Sequence, residues 1–532
     1  MQKKIFAIIL IAALAISLFV GCGTKNQGQQ PSQQQTQNIA QVLNDYFTED
    51  PNGFDVQEST TLSMYTMARL LYSTLVRYKG ETLELEPELL AKMPEVSEDG
   101  KVYTFELKRG IKFHDGQTEL KSDDVKFTIE RMLDPNGKGA STWLFEPILG
   151  AKAFMEGKSN SLEGFKKIDD YKFQIILEKP YAPFIQNFAV PSASIYSEKL
   201  VKAGGDNWKF NPMGTGPLKL KKYEPNTEIV LEKNPNYFEP GLPKLDEIHF
   251  RIIPDDTTAV MEFENGTLDV ATIPITEYQR IKDSGKYNVL ESVALNTYYF
   301  LMNVSDPKWS DVRIRKAMAM AIDKKKLVET LYGPRGTVAK AFVTPGIPGA
   351  YELGQGPAYD YNPEEAKKLV KELGGNVKVE AWQRGGDRLT DANIAIQAMA
   401  KEVGIDLDIK IVEKAAFGDA RSKGKIPANY GNWWADIPDP DNYLYTFFAK
   451  TNQMSSGYNN KKVQEMLEQA RTETDTVKRN ELYRKIEDTI VKEDVAVIPL
   501  FHIKSLLATQ KNVKGIFIHP TGVTVYINAY KE

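Results

Sequence analysis

Apolar positions recur along this chain at two spacings, and the change from one to the other marks its elements. KVYTFELK (101–108) alternates residue by residue, placing Tyr103, Phe105 and Leu107 on one face, which predicts a half-buried strand. YTMARLLYSTLVRY (65–78) repeats at helical spacing and predicts one amphipathic helix. SDDVKFTIERML (122–133) predicts a helix with Ser122 as N-cap, acids in its first turn and Val125, Ile129 and Met132 on one stripe. Ile314, Ala317, Met318, Ala321 and Ile322 follow a core-facing helical stripe, so these methionines read as packing rather than as ligands. Residues 362–412 then predict helix, strand, helix and strand. Asn362 caps the first helix, Pro363 opens it, and Ile405, Leu407, Ile409 and Ile411 alternate along the last strand. Strands joined by a helix in this way imply a right-handed parallel unit, with ligands beyond the strands' carboxyl ends. QRGGDR (383–388) falls at such an end, which places Arg384 near a cleft.

The N-terminus changes the picture. After MQKK come 16 apolar or small residues and then GCG, a run short for a spanning helix and suited to a signal peptide over residues 1–21. LFVGC resembles a bacterial lipobox, which makes Cys22 a lipidation site; Phe19 stands where leucine is commoner. Cys22 is the single cysteine, so one chain can form no disulfide and cysteine catalysis elsewhere is excluded. The Gln-rich segment that follows has nothing to bury and reads as a tether, with Cys22 over residues 22–37. At 532 residues the chain has room for two to four domains. A formal net charge of −4, from 67 basic and 71 acidic residues, gives no basic face for nucleic acid.

The stretch GNWWADIPDPDNYLYTFF (431–448) interleaves three aspartates with aromatic rings. A calcium EF-hand loop wants alternating oxygen ligands and a glycine at the sixth position; from Asp439 these positions give Asp441, Tyr443 and Leu444, so that reading fails. Core packing beside a turn, and an aromatic slot holding one acid for a cation, remain open. Asp439 and Asp441, within DPDN, read as turn-formers.

Four blocks decide between these. VYTFELKRGIKFHDGQTELKSDDVKFTIERM (102–132), MGTGPLKLKKYEPNTEIVLEKNPNYFEPGLPKLDEIHFRIIPDD (213–256), NGTLDVATIP with NTYYFLMNVSDPKWSDVRIRKAMAMAIDKKKLV (265–274 and 296–328) and WWADIPDPDNYL (433–444) follow in one order. In that order they resemble the extracellular solute-binding proteins of peptide-type ABC importers, along essentially the whole mature chain. The resemblance implies an α/β fold of two lobes with a hinge, like the periplasmic binding proteins, and an extra subdomain in the first lobe. Lobe I would comprise residues 38–77, an extra subdomain 78–185, 186–295 and a return 496–532, with lobe II over 296–495. It also implies site residues. Asp436, in the W-x-A-D motif, would pair with a ligand's α-ammonium group; backbone groups at Asn432 and Trp434 would pair with an extended peptide; Trp433 and Trp434 would wall the pocket. Arg384, or Arg388 in its place, would capture a carboxylate. Ser59, Thr60 and Thr61 would face the peptide from the first lobe, and Tyr298 and Tyr299 would line the cleft at the crossing.

The function expected is capture of peptides, oligopeptides in particular, by a non-enzymatic monomer without cofactor or metal, and delivery to ABC permease subunits. A lipid anchor would hold it on the outer face of a Gram-positive cytoplasmic membrane. Within the same family the alternatives are cello- or xylo-type oligosaccharides, which stack on tryptophan, and nickel or haem ligands. The four histidines (His114, His249, His502, His519) make no metal spacing. An extracellular hydrolase finds no G-x-S-x-G, H-E-x-x-H or phosphate loop. A receptor for signalling peptides would use the same binding mechanism.

Overall fold

The helix expected over 65–78 ends early, and a neighbouring loop is the reason. The computed structural model describes residues 41–386, 390–450 and 454–532, all in one unit of the chain. There the helix spans Leu62–Leu71, and the hydroxyl of Thr61 caps it by accepting the Met64 N–H at 3.3 Å. The Leu71 carbonyl, which a longer helix would engage, accepts the Gly216 N–H at 3.1 Å. That approach requires glycine, because a Cβ at Gly214 would stand 1.9 Å from the Leu71 oxygen. The chain beyond it holds β-branched Thr74 and Val76, and Val76–Tyr78 becomes a strand paired with Leu85–Pro87. The helix Ser122–Leu133 forms as expected, with Val125, Ile129 and Met132 fully buried. Its cap lies one residue earlier: Asp124 accepts the Lys121 N–H at 2.9 Å, while the Ser122 hydroxyl donates to the Asp169 carbonyl at 2.6 Å.

Three larger sheets organise the rest. Val42–Phe47 runs parallel to Glu247–Ile252, followed by antiparallel Glu228–Lys233 and Leu218–Glu224. Val102–Glu106 sits in a separate four-stranded sheet beside Lys172–Ile176, with Phe105 against Phe173. In the third, Asn296–Met302 lies between Val497–Thr509 and Ala428–Trp434. Its seven residues are all buried, as a strand covered on both faces requires. The predicted parallel pair is present, Val377–Arg384 against Ile405–Val412, with the helix Thr390–Glu402 between them in sequence.

The apolar side chains collect into separate cores. One runs from Leu43 to Val270 and takes in Leu507 to Ala529 together with Ile437. Two others draw on residues between Leu295 and Ile503. The Val497–Thr509 strand links them. Its first half pairs with Asn296–Met302, and from Lys504 onward it pairs with Asn288–Val293. Asn296 clamps this change of partners: its side chain donates to the Ile503 carbonyl at 2.9 Å and accepts the Ile503 N–H at 3.0 Å. The buried amide thereby satisfies main-chain groups where two strands cross side by side.

Candidate ligand-binding site

The Ala428–Trp434 strand stands at the end of its sheet and pairs only with Asn296–Met302 among the described residues. Just past the strand, Ala435 donates its N–H to the Leu295 carbonyl at 2.8 Å. In an antiparallel ladder such bonds fall on alternate residues. Trp433 and Gly431 therefore share the register of Ala435, whereas the N–H and C=O of Asn432 and Trp434 point to the open edge. The two residues expected to offer backbone groups are the ones the ladder leaves unused.

The chain then crosses a seam. Ala435 packs into a core of the 295–497 region and Ile437 into the core of the 43–270 region, so Asp436 lies between them. Asn442 sets the turn: its side-chain oxygen accepts the Trp433 indole N–H at 3.2 Å and the Asp436 backbone N–H at 3.1 Å. The Trp433 ring meets Phe447 edge-on, with centroids 5.3 Å apart. Burial pushes the Asp436 carboxyl up to about 6, against the pull of the Asn442 side chain. No ion pair to Asp436 forms among the described residues, so its anion is poorly compensated.

Asp439 and Asp441 need a fuller account than turn formation. Asp439 does accept the Asp441 N–H at 2.9 Å, the role expected of it. Both carboxylates are also buried and neutralised. Arg479 grips Asp439 through two bonds of 2.9 and 2.8 Å. Asp441 accepts from the hydroxyls of Tyr483 at 3.0 Å and Tyr181 at 3.3 Å, and stands 3.2 Å from the Arg471 guanidinium. Tyr181 and Gln186, which reaches Asp439 at 3.4 Å, come from the first half of the chain, so these acids fasten the two halves together.

Asp436 faces two cavities. The smaller, about 220 Å³, is lined by Thr60, Tyr65, Arg69, Tyr78 and Trp434. Trp434 and Leu62 both sit against Gly522; a Cβ at Gly522, whose φ is +88°, would lie 3.1 Å from the indole ring. The larger, about 530 Å³, is walled by Trp143, Tyr181, Trp433 and Tyr445. Arg471 lies over the Tyr445 ring at 3.8 Å and the Tyr181 ring at 4.5 Å, a charge already engaged within the wall.

The remaining expected residues are scattered. Thr60 reaches the smaller cavity; Thr61 is spent as a helix cap, and Ser59 lies beside it at 3.5 Å. Tyr298 and Tyr299 do not line either cavity. Tyr298 stacks on Phe501 at 4.6 Å and Tyr299 packs edge-on to Phe342 and Phe447, because a strand covered on both faces turns all its side chains inward. Arg384 ends its strand exposed and lines neither cavity; its charge and that of Arg421 both reach the Tyr299 hydroxyl. Arg388 lies outside the described residues. The groups that sequence reasoning missed are Tyr65, Tyr78, Tyr181 and Asn442. Only Asn442 left a signal, as the last residue of the turn-forming DPDN.

Residues 84–455 match the family described as bacterial extracellular solute-binding proteins, family 5 Middle. The chain belongs to this family. It is 30% identical over 497 residues to the dipeptide-binding protein of Escherichia coli (strain K12), covering 89% of this chain and 91% of that protein. It is 29% identical over 483 residues to heme-binding protein A of Haemophilus influenzae, covering 86% of each. Among solved structures it resembles the ABC transporter-associated periplasmic binding protein DppA of Helicobacter pylori in complex with the peptide STSA. The TM-score is 0.76 at 28% identity, over 92% of this chain and 98% of that one. The fold is the two-lobe α/β fold of the periplasmic binding proteins. No helix among the described residues is long and apolar enough to cross a membrane.

Proposed function

We propose that this chain captures short peptides outside the cell, holds their α-ammonium group at Asp436 and passes them to the permease of an ABC importer without chemical change. One observation carries this reading: a carboxylate lying between two cores, facing two cavities, with no ion pair among the described residues to neutralise it. A ligand ammonium would supply the missing charge, and removing one partner of a buried pair costs about 3–5 kcal/mol. The open backbone edge at Asn432 and Trp434 would add main-chain pairing, which gives affinity without reading side chains. Contacts from both halves would favour the closed arrangement, since a ligand shifts a hinge only by binding one state better. The lobes would divide as the resemblance implies, with 78–185 as the extra subdomain, 296 opening lobe II and the Val497–Thr509 strand returning to lobe I. The peptide complex of the H. pylori relative supports the ligand class.

Haem and nickel fit this site less well. The rings of His114 and His502 are engaged by backbone groups in buried positions, through Gly216 at 3.1 Å and Asn296 at 2.9 Å. Oligosaccharides would use the tryptophan walls but leave Asp436 uncompensated. Calorimetric titration with STSA, and with cello- and xylo-oligosaccharides, tests the reading. Peptide binding without sugar binding is expected; binding of sugars alone would overturn it. Cys22, outside the described residues, is proposed as the lipid anchor on the outer membrane face. Cys22→Ala should release the protein from the membrane fraction, and unchanged retention of processed protein would remove the anchor.

A further inference from the structure

The wall of the smaller cavity carries a second incompletely satisfied polar group. Tyr78 lines it, and the Tyr78 hydroxyl is buried without a hydrogen-bond partner among the described residues. Buried hydroxyls rarely stay unpaired, and each exception calls for a reason. This ring is not loose. It stacks on the His519 imidazole, with centroids 4.8 Å apart and planes at 17°. The imidazole in turn lies 2.9 Å from the Thr82 carbonyl and 2.8 Å from the Thr521 hydroxyl. The hydroxyl is thus held in place beside the Asp436 compartment.

Its surroundings define what is lacking. The charges that reach it belong to Arg69, Asp439 and Asp436. Arg69 is already occupied by the Ala189 carbonyl and the Thr74 hydroxyl, and Asp439 by Arg479. Burial keeps the phenol protonated, so Tyr78 brings to the cavity wall an O–H donor that lacks an acceptor oxygen among the described residues. An ammonium brings none. In a peptide, the acceptors nearest the α-ammonium are the first carbonyl oxygen and any oxygen on the first side chain.

We propose that the Tyr78 hydroxyl is a second ligand-binding group, donating a hydrogen bond to an oxygen of the ligand's N-terminal residue. This rests on reading Asp436 as the site of that residue's ammonium group. Tyr78→Phe keeps the ring and its stacking on His519 while deleting the donor. The wild-type protein and the variant are titrated with STSA and with ATSA, whose first residue carries only the carbonyl oxygen.

The variant should bind STSA about tenfold more weakly. A loss confined to STSA puts the acceptor on the side chain; an equal loss on both peptides puts it on the carbonyl. Unchanged affinity for both overturns the proposal and leaves the Asp436 reading standing. If the wild type binds neither peptide, both fall together. The melting temperature of the ligand-free variant should match or exceed that of the wild type. A clear fall would show that the hydroxyl already has a partner in the free protein, which also overturns the proposal.

Discussion

Asp436 and Asp439 stand three residues apart in one turn, yet the fold treats them in opposite ways. Asp439 is buried with a two-bond grip from Arg479. Asp436 is held between two cores, leans on Asn442 through both backbone and side chain, and forms no ion pair among the described residues. The first carboxylate is part of the fabric joining the halves of the molecule. The second is a destabilised charge that the free protein tolerates, as is expected of a site waiting for its partner. The lesson concerns neutralisation rather than burial: an acid completed by its own chain is structure, and one left incomplete is an opening for a ligand.

The widest separation between the two should come from removing the arginine. Arg479→Met leaves Asp439 buried and unpaired, and urea unfolding should show a loss of about 3–5 kcal/mol. Adding Asp439→Asn should recover much of it. A loss below about 1 kcal/mol would mean that Asp439 is no more tied into the fold than Asp436.

Asp436→Asn should act with the opposite sign on the free protein, raising its stability at pH 8 by roughly 1–3 kcal/mol because the poorly compensated charge disappears. The same substitution should weaken STSA by about 100-fold, roughly 2.7 kcal/mol, and leave N-acetylated STSA nearly unaffected. Destabilisation like that of Arg479→Met would collapse the contrast and make Asp436 scaffold.

The smallest effect is in pH. The folded carboxyl at about 6 lies above the ordinary aspartate value near 3.9, so the folded chain holds this proton more tightly than the unfolded one. The ligand-free protein should therefore gain stability from Asp436 as pH falls from above 6 towards 4, and lose it as pH rises through 6. Binding runs the other way. STSA affinity should drop up to tenfold per unit below pH 6, as the carboxylate is protonated, and fall again above about pH 8, as the ligand's α-amino group loses its proton. An affinity unchanged from pH 5 to pH 9 would detach binding from this ion pair.

Period and punctuation were enough to foresee much of the local structure. The alternating 101–108 strand, the stripe of the 122–133 helix, and the parallel pair after Asn362 formed where spacing placed them, because each buries one face set by its own sequence. The family and its two-lobe fold were legible in the order of four motif blocks. The helix over 65–78 was misjudged, since what stops it is the Gly214–Gly216 loop, remote in sequence and pressed against the Leu71 carbonyl. Tyr298 and Tyr299 stand away from both cavities for a related reason: their strand is packed on both faces.

By itself, then, the amino-acid order determined which segments would be helix or strand and which acid followed the tryptophan pair. Only the tertiary structure decided which of three neighbouring aspartates would be satisfied, because Arg479, Arg471 and Tyr181 reach that turn from distant parts of the chain. Charge compensation depends on distance in space, and spacing along the chain does not report it. The same holds for Tyr78, an ordinary strand residue in sequence whose hydroxyl the fold buries without a hydrogen-bond partner among the described residues.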